Sequence, residues 1–242
     1  MKKALALGLV AAMVLGLTAC GNGDINKKSE GVMTYAEYDA AALDSEVTVE
    51  TYVQAKQGWW ENQATIYSQD GEGGYFIYNM PMSQEDYDKL VPGTKIKVTG
   101  FKSEWSGEVE ITDATFEVEE GNYVATPVDV TAKLGTDELI KDQNKFVSFK
   151  DLTVVARKDV DGNDVPFQYN HDGSGEPGSD LYFDVEANGT TLSFTVESYL
   201  AGQDTDVYKA VEALNVGDKI DCEGFLYWYE GANPHITKVT VK

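Results

Sequence analysis

Short stretches of alternating hydrophobic and polar residues run through the chain and predict a protein made mainly of β-strands. In residues 47–53, valine or threonine occupies every second position between more polar residues, the pattern of a strand with one buried face. The remaining predicted elements follow in the order strand, strand, helix, strand, strand: residues 64–68, 75–79, 83–90, 95–101 and 108–118. This unit therefore contains five strands and one short helix between strands three and four.

The unit occurs twice, because residues 90–116 recur as residues 214–241. The matched residues include a leucine, two glycines, a Lys-Ile pair and a phenylalanine: Leu90/Leu214, Gly93/Gly217, Lys95/Lys219, Ile96/Ile220, Gly100/Gly224 and Phe101/Phe225. The match continues to Trp105/Tyr229. The elements predicted for the second copy keep the same order: residues 147–156, 180–186, 190–196, a helix near 204–214, then 219–227 and 236–241. The chain is therefore predicted to carry a duplicated module.

This element order is that of the OB-fold, a five-stranded Greek-key barrel. Residues 69–78 and 90–100 resemble the OB domains attached to secreted bacterial nucleases and found in tandem in surface lipoproteins. The resemblance covers residues 45–118 well and 146–242 more loosely. It departs from the family at the acidic, glycine-rich segment 157–179 and in the absence of a nuclease domain. It implies two tandem five-stranded OB-fold barrels that bind a ligand and are not themselves an enzyme.

The N-terminus has the parts of an export signal, with Lys2 and Lys3 before the apolar run 4–17. The segment Leu17-Thr18-Ala19-Cys20 resembles a bacterial lipobox. That resemblance implies cleavage before Cys20 and a lipid on its sulfur, which would place the protein on the extracytoplasmic face of the cell membrane. The alternative is an ordinary secretory signal with a freely diffusing product. The predicted division is signal peptide 1–19, tether and short helix 20–44, first OB-fold 45–118, connector 119–145 and second OB-fold 146–242.

The chain is strongly acidic, with a formal net charge of −22. Such a charge favours a soluble monomer and repels phosphate backbones, so we expect nucleic acid to be disfavoured as a partner. Around the tryptophans of the first module, Trp59, Trp60 and Trp105, acidic residues outnumber basic ones. Two lysines, Lys56 and Lys102, stand against three glutamates, Glu61, Glu104 and Glu108.

No cofactor and no metal site are predicted. The segment 159–163 spaces oxygen ligands as a calcium loop does, but its glycine is misplaced and the glutamate expected at the twelfth position is Asn170, so a solvated turn is favoured. His171 and His235 have no partner at zinc-ligand spacing. Residues 173–178 fit a G-x-G-x-x-G pattern without a flanking strand or helix. Cys222 is expected to be a small buried side chain on the inward face of its strand.

Aromatic residues mark the candidate ligand site. They fall in the loops between strands one and two and between strands four and five, which OB-folds use for binding: Trp59, Trp60, Trp105, Tyr227, Trp228 and Tyr229. Phe167, Tyr169 or His171 are candidate companions of the second cluster. The alternative interpretation is that these rings cover the barrel ends or pack the two modules together.

Three functions are compatible with these observations. A membrane-anchored extracytoplasmic protein that holds a neutral glycan by its aromatic loops is favoured, because neutral sugars are not repelled by the acidic surface. An adaptor that presents its modules to a surface protein is the alternative. Single-stranded nucleic-acid binding is ranked below both.

Overall fold

A computed structural model describes residues 25–242, and within them the chain forms two closed five-stranded barrels with short helices. The fold class predicted from the sequence is thereby confirmed as mainly β, consistent with tandem OB-folds. The predicted signal peptide 1–19 and the lipidation site Cys20 lie outside the described residues.

The first barrel uses the predicted element order. It comprises β1 (Glu46–Lys56), β2 (Gln63–Gln69), β3 (Gly74–Pro81), helix α2 (Gln84–Lys89), β4 (Thr94–Trp105) and β5 (Glu108–Asn122), preceded by helix α1 (Tyr35–Ala40). The strand order is β1-β2-β3-β5-β4, and β4 pairs with β1 to close the barrel. Strands β3 and β5 pair in parallel, whereas the other neighbours are antiparallel. This is the topology of the OB-fold.

Local sequence sets the helix boundaries. Thr34 caps α1 in a capping box, since its hydroxyl accepts from the Glu37 amide while the Glu37 carboxylate accepts from the Thr34 amide. Ser83 caps α2 by accepting from the Asp86 amide. Helix α2 falls within the range 83–90 predicted from the sequence. Helix α2 lies between strands three and four, as expected of this fold.

The second barrel repeats this order with longer connections. Its strands are β7 (Phe146–Val155), β11 (Leu181–Ala187), β12 (Thr190–Val196), β13 (Lys219–Phe225) and β14 (His235–Val241), with helix α3 (Asp206–Glu212) between β12 and β13. Strand β11 pairs with both β12 and β7, and β12 pairs in parallel with β14, as β3 does with β5. Cys222 on β13 is buried, as predicted.

The connector and the insertion form additional strands of two residues each. Strand β6 (Val128–Asp129) in the connector pairs in parallel with β7. In the predicted insertion, β8 (Arg157–Lys158) pairs with β9 (Asp164–Val165), and β10 (Gln168–Tyr169) adds to β11. Two 3-10 turns complete the connector, Thr131–Lys133 and Leu139–Asp142. The insertion therefore lies against the second barrel.

The repeated glycine Gly100/Gly224 has a physical cause in both copies. A Cβ on Gly100 would lie 2.7 Å from the Thr112 carbonyl oxygen, and one on Gly224 would lie 2.3 Å from the His235 carbonyl oxygen. Both positions adjoin a register shift in the pairing of the last two strands. The backbones approach too closely there for any side chain, so the glycine recurs.

The N-terminal segment packs on the first barrel from Lys28 onward, although the sequence predicts a tether. Lys28 is almost fully enclosed and forms an ion pair with Asp70 at 2.6 Å and a hydrogen bond to the Glu50 carbonyl at 2.7 Å. Asp70 also accepts from the Tyr75 hydroxyl and from the amides of Glu72 and Gly73. Because a buried carboxylate needs such partners, Lys28 is part of the folded structure.

A third apolar cluster lies between the barrels, separate from the two barrel cores. Tyr67 and Phe76 of the first barrel pack against Phe225 of the second, and all three are buried. The Tyr67 ring lies 4.7 Å from that of Phe225, and the Phe76 ring lies 5.2 Å from that of Tyr227, measured between centroids. The barrels are therefore held together by a buried aromatic contact.

Buried polar contacts reinforce the junction. Glu108 is fully buried, and its Oε2 accepts from the Trp228 amide at 2.8 Å and from Gln143 Nε2 at 3.1 Å. Burial raises the pKa of Glu108 well above its ordinary value. The Asn144 side-chain amide donates to the Val109 carbonyl at 2.8 Å. Residues of the connector and of both barrels thus share one hydrogen-bond network.

Candidate ligand-binding cleft

A cleft of about 760 Å³ opens beside this junction and is lined by both barrels. Its size falls within the range of small-molecule and cofactor sites, which is roughly 300–1,000 Å³. Eight of its lining residues are tryptophan, tyrosine or phenylalanine: Trp60, Phe76, Tyr78, Trp105, Tyr182, Tyr199, Tyr227 and Tyr229. A cleft of this composition offers several flat apolar faces within reach of polar groups.

The structure brings four of the six predicted aromatic residues to this cleft. Trp60 and Trp105 are 64% and 61% exposed and project from the first barrel. Tyr229, 52% exposed, and the half-buried Tyr227 line it from the second barrel. Aromatic residues from the predicted binding loops of both barrels therefore line one cleft together.

Trp59 and Trp228 do not line the cleft. Trp59 packs against the core of the first barrel, and its Nε1 donates to the Met82 carbonyl at 3.1 Å. Trp228 packs against the core of the second barrel. Both rings are half-buried and contribute to packing, which was the alternative interpretation of the aromatic clusters.

Several lining residues were missed by sequence reasoning. Tyr182 lies on β11, Tyr199 follows β12, and Tyr78 lies on β3. Tyr78 and Tyr182 fall within predicted strands, and Tyr199 falls just after one, so none of them lies in the loops where a ligand was expected. Of the three companions considered for the second cluster, His171 lines the cleft, whereas Tyr169 donates a hydrogen bond to Glu212 outside it.

Two half-buried carboxylates face this cleft from the second barrel. Glu197 Oε2 accepts from the Leu200 amide at 2.7 Å, and Asp180 Oδ1 accepts from the amide and hydroxyl of Ser198 at 2.8 and 2.6 Å. Burial, and secondarily the charge of Asp180, raises the pKa of Glu197 to about 7. The carboxyl of Glu197 therefore titrates near neutrality.

A buried hydrogen-bond chain links the barrels at the cleft. Gln57 Nε2 donates to the Tyr67 hydroxyl at 3.2 Å, and that hydroxyl lies 2.7 Å from His235 Nδ1. Because Tyr67 is buried and its hydroxyl hydrogen needs an acceptor, we assign the Tyr67 hydroxyl as the donor to Nδ1. Burial lowers the pKa of His235 to about 3, so the ring is neutral and its hydrogen lies on Nε2.

The lining contains three carboxylates, Asp180, Glu197 and Glu230, and no lysine or arginine. Arg157 reaches the edge of this region, where it donates to the His171 carbonyl at 3.4 Å. Its guanidinium is engaged by the side chains of Asp184 and Ser193. Within the described residues, the charge on the cleft lining is therefore negative.

Residues 25–242 contain no group of three or more His, Cys, Asp or Glu side chains arranged to hold a metal ion. In the calcium-like segment, Asp159 accepts from the amides of Asp161 and Asn163 and from the Asn163 side chain. The segment thus forms a turn closed by its own aspartate. Among the helices of residues 25–242, none is both long enough and apolar enough to cross a lipid bilayer.

No family model and no curated protein matches this sequence. Among solved structures, a murine DNA-binding protein bound to double-stranded DNA is 15% identical, with a TM-score of 0.34 over 81% of this chain and 94% of that one. The Ifi202 HINa domain in complex with double-stranded DNA is 11% identical, with a TM-score of 0.36 over 82% and 98%. A single-stranded DNA-binding protein from Thermus aquaticus is 13% identical, with a TM-score of 0.28 over 81% and 93%.

These neighbours contradict the prediction that nucleic acid is disfavoured as a partner, because they are proteins that bind double- or single-stranded DNA. The prediction used the net charge of the whole chain. Net charge averages over the entire surface, whereas binding depends on the local groups that contact the ligand. The charge of −22 therefore does not select the partner.

Proposed function

We propose that the protein is a non-catalytic binding protein that captures an oligosaccharide in the cleft between its barrels. The observation that carries this proposal is the convergence of Trp60 and Trp105 with Tyr229 on one cleft. Flat aromatic faces pack against the apolar faces of sugar rings. The amides of Gln57, Asn79 and Asn233 also line this cleft and are suited to sugar hydroxyls.

Isothermal titration of the purified protein against a panel of oligosaccharide tetramers tests this proposal. Trp105→Ala is expected to weaken binding by about 1–3 kcal/mol, the range for an aromatic stacking contact. Phe101→Ala is the matched control, because Phe101 is an exposed aromatic residue on the same strand that does not line the cleft. Equal losses in the two variants, or no binding to any tetramer, would contradict the proposal.

Single-stranded nucleic acid is the second candidate ligand, and the exposed rings of Trp60 and Trp105 favour it. Bases stack on such rings irrespective of their sequence. Since the lining has no lysine or arginine, stacking would have to hold the strand in this cleft. An oligothymidylate titrated at two salt concentrations tests this, because contacts with phosphates weaken steeply as salt rises, whereas stacking does not.

We also propose that Cys20 carries a lipid that anchors the protein to the extracytoplasmic face of the cell membrane. The lipobox-like segment 17–20 supports this. Cys20→Ser is expected to release the protein into the medium, and mass spectrometry of the wild type should find a modified N-terminal peptide that begins at Cys20. An unmodified peptide, or unchanged membrane retention of the variant, would exclude the anchor.

A further inference from the structure

The polar groups of the cleft are distributed unevenly between the barrels. The first barrel contributes amides, a hydroxyl and exposed tryptophan rings, whereas Asp180, Glu197 and Glu230 all come from the second. Glu197 and Asp180 are held in place by backbone hydrogen bonds from Leu200 and Ser198. The negative charge of the cleft thus comes from the second barrel, whereas the exposed tryptophans come from the first.

A second feature of the same wall indicates a ligand. His235 is 6% exposed and lines the cleft, and among the described residues its hydrogen bond is made through Nδ1 to Tyr67. Its Nε2, which carries the hydrogen in the assigned tautomer, makes no hydrogen bond within residues 25–242. Because His235 lines the cleft, this N–H is available to donate to a ligand hydroxyl placed against it.

Aromatic faces together with carboxylates form the usual environment of an organic ammonium group. The positive charge is attracted to the electron-rich face of the rings and to the carboxylates. Tyr182 and Tyr199 line the cleft together with Glu197. Within residues 25–242 no lysine or arginine side chain lines the cleft, so no described cation lies beside these carboxylates in the lining.

We infer that the bound oligosaccharide is an amino sugar polymer, whose protonated amino groups lie against Glu197 and Asp180 while its ring faces lie on Trp60 and Trp105. This inference rests on the proposed function and adds the charge of the ligand to it. A neutral sugar would leave these carboxylates without a counter-charge.

Proton release on binding gives a direct signature of this contact. Around Glu197 lie the charge of Asp180, the hydroxyls of Tyr67 and Tyr182, and the neutral ring of His235. At about pH 6 an amino sugar is largely protonated, and so is Glu197 with its pKa of about 7. An ammonium group beside Glu197 favours the carboxylate, so the proton of Glu197 passes to the buffer on binding.

The test compares the tetramer of glucosamine with the tetramer of N-acetylglucosamine, which share a backbone and differ in charge. Titration calorimetry at about pH 6 in two buffers of different ionisation enthalpy measures both affinity and proton release. We expect the glucosamine tetramer to bind at least about tenfold more tightly and to release a proton. In Glu197→Gln the proton release should disappear, and the preference should become smaller because Asp180 remains in the lining.

Glu104→Gln is the matched control, because it removes one charge near Trp105 without changing the cleft lining. It should leave the preference and the proton release unchanged. Equal affinity of the wild type for both tetramers would overturn the amino-sugar inference and leave the proposed function standing. Binding of neither tetramer would overturn both, and binding of an oligothymidylate alone would favour the nucleic-acid candidate.

Discussion

The turn between β4 and β5 and the connection between β13 and β14 derive from the same repeated sequence, yet they have different shapes. In the first barrel the strands continue to Trp105 and resume at Glu108, with a turn at Ser106 and Gly107. In the second barrel the strands end at Phe225 and resume at His235. The two connections touch, since the Glu230 amide donates to the Ser106 carbonyl at 2.7 Å.

This difference explains why the duplicated modules contribute different parts of one cleft. The tight hairpin leaves Trp105 projecting from its barrel, whereas the longer loop folds back and packs Trp228 into the second core. Tyr229, the counterpart of Trp105 in the repeat, remains exposed and lines the cleft from the second barrel. The first barrel thus supplies exposed rings, and the second supplies carboxylates and a buried histidine. The two copies of the repeated sequence therefore line the cleft with different chemical groups.

The strongest test of the junction between the barrels is Tyr67→Ala. Tyr67 is 2% exposed, and its loss removes both the ring contact with Phe225 and the hydrogen bond to His235. We expect a loss of about 3–5 kcal/mol in the free energy of unfolding, measured by chemical denaturation. Tyr67→Phe keeps the ring and should lose about 1–3 kcal/mol, because two buried polar groups lose their partner. A stable Tyr67→Ala protein would show that the barrels do not depend on each other.

A smaller loss is expected from Gly74→Ala, which tests the contact between the first barrel and the connector. A Cβ on Gly74 would lie 2.2 Å from the Asn144 carbonyl carbon and oxygen, both of them backbone atoms. Relieving this overlap should cost about 1–3 kcal/mol in stability. Gly58→Ala is the control, because its Cβ would meet the Tyr199 carbonyl at an ordinary 3.8 Å. Equal melting temperatures for the two variants would argue against the close approach.

Glu108 should make the stability of the junction depend on pH. Its folded-state pKa lies well above the ordinary 4.5, so its stabilising contribution is full below about 4.5 and declines as the pH rises towards the folded-state value. Glu108→Ala should lose about 1–3 kcal/mol because Trp228 and Gln143 lose an acceptor. In Glu108→Gln this part of the pH dependence should be absent. Urea denaturation of the wild type and both variants, from acidic to neutral pH, measures the free energy of unfolding at each pH. If this free energy depends on pH in the same way in the wild type and in Glu108→Gln, Glu108 is not the source of the pH dependence.

The smallest effect on stability is expected at the exposed rings. Trp105→Ala and Tyr229→Ala should each change the free energy of unfolding by no more than about 0.5 kcal/mol, because exposed side chains have few packing partners. Trp105→Ala should reduce oligosaccharide affinity more than Tyr229→Ala, since the tryptophan presents the larger face. Thermal melts and titration calorimetry on the same samples measure both quantities. A large loss of stability in either variant would show that its ring packs within the fold.

The barrels could be predicted from sequence because their information is local and repeated. Alternation placed the strands, the helix between strands three and four was predicted at residues 83–90, and Cys222 was assigned to an inward face. The recurrence of Gly100 as Gly224 aligned the two copies. These features depend on neighbouring residues, so a pattern along the chain reveals them.

The junction between the barrels was not predictable in this way. Tyr67 and Phe225 lie on strands where apolar residues are expected in any case, so nothing in the sequence distinguishes a residue that faces the other barrel from one that faces its own core. Trp59 and Trp60 show the same limit, because adjacent rings point to different environments. The prediction that nucleic acid is disfavoured failed for a related reason. The net charge of the chain does not show where the charged side chains lie on the folded surface.

The ion pair between Lys28 and Asp70 would limit how far the barrels could move from a lipid on Cys20. If Cys20 carries a lipid, only the seven residues 21–27 lie between it and Lys28, whose side chain is fixed in the first barrel. Even fully extended, that segment reaches at most about 29 Å. The cleft would then be confined to a thin layer next to the bilayer, and its ligand would have to be an element of the cell envelope or diffuse into that layer.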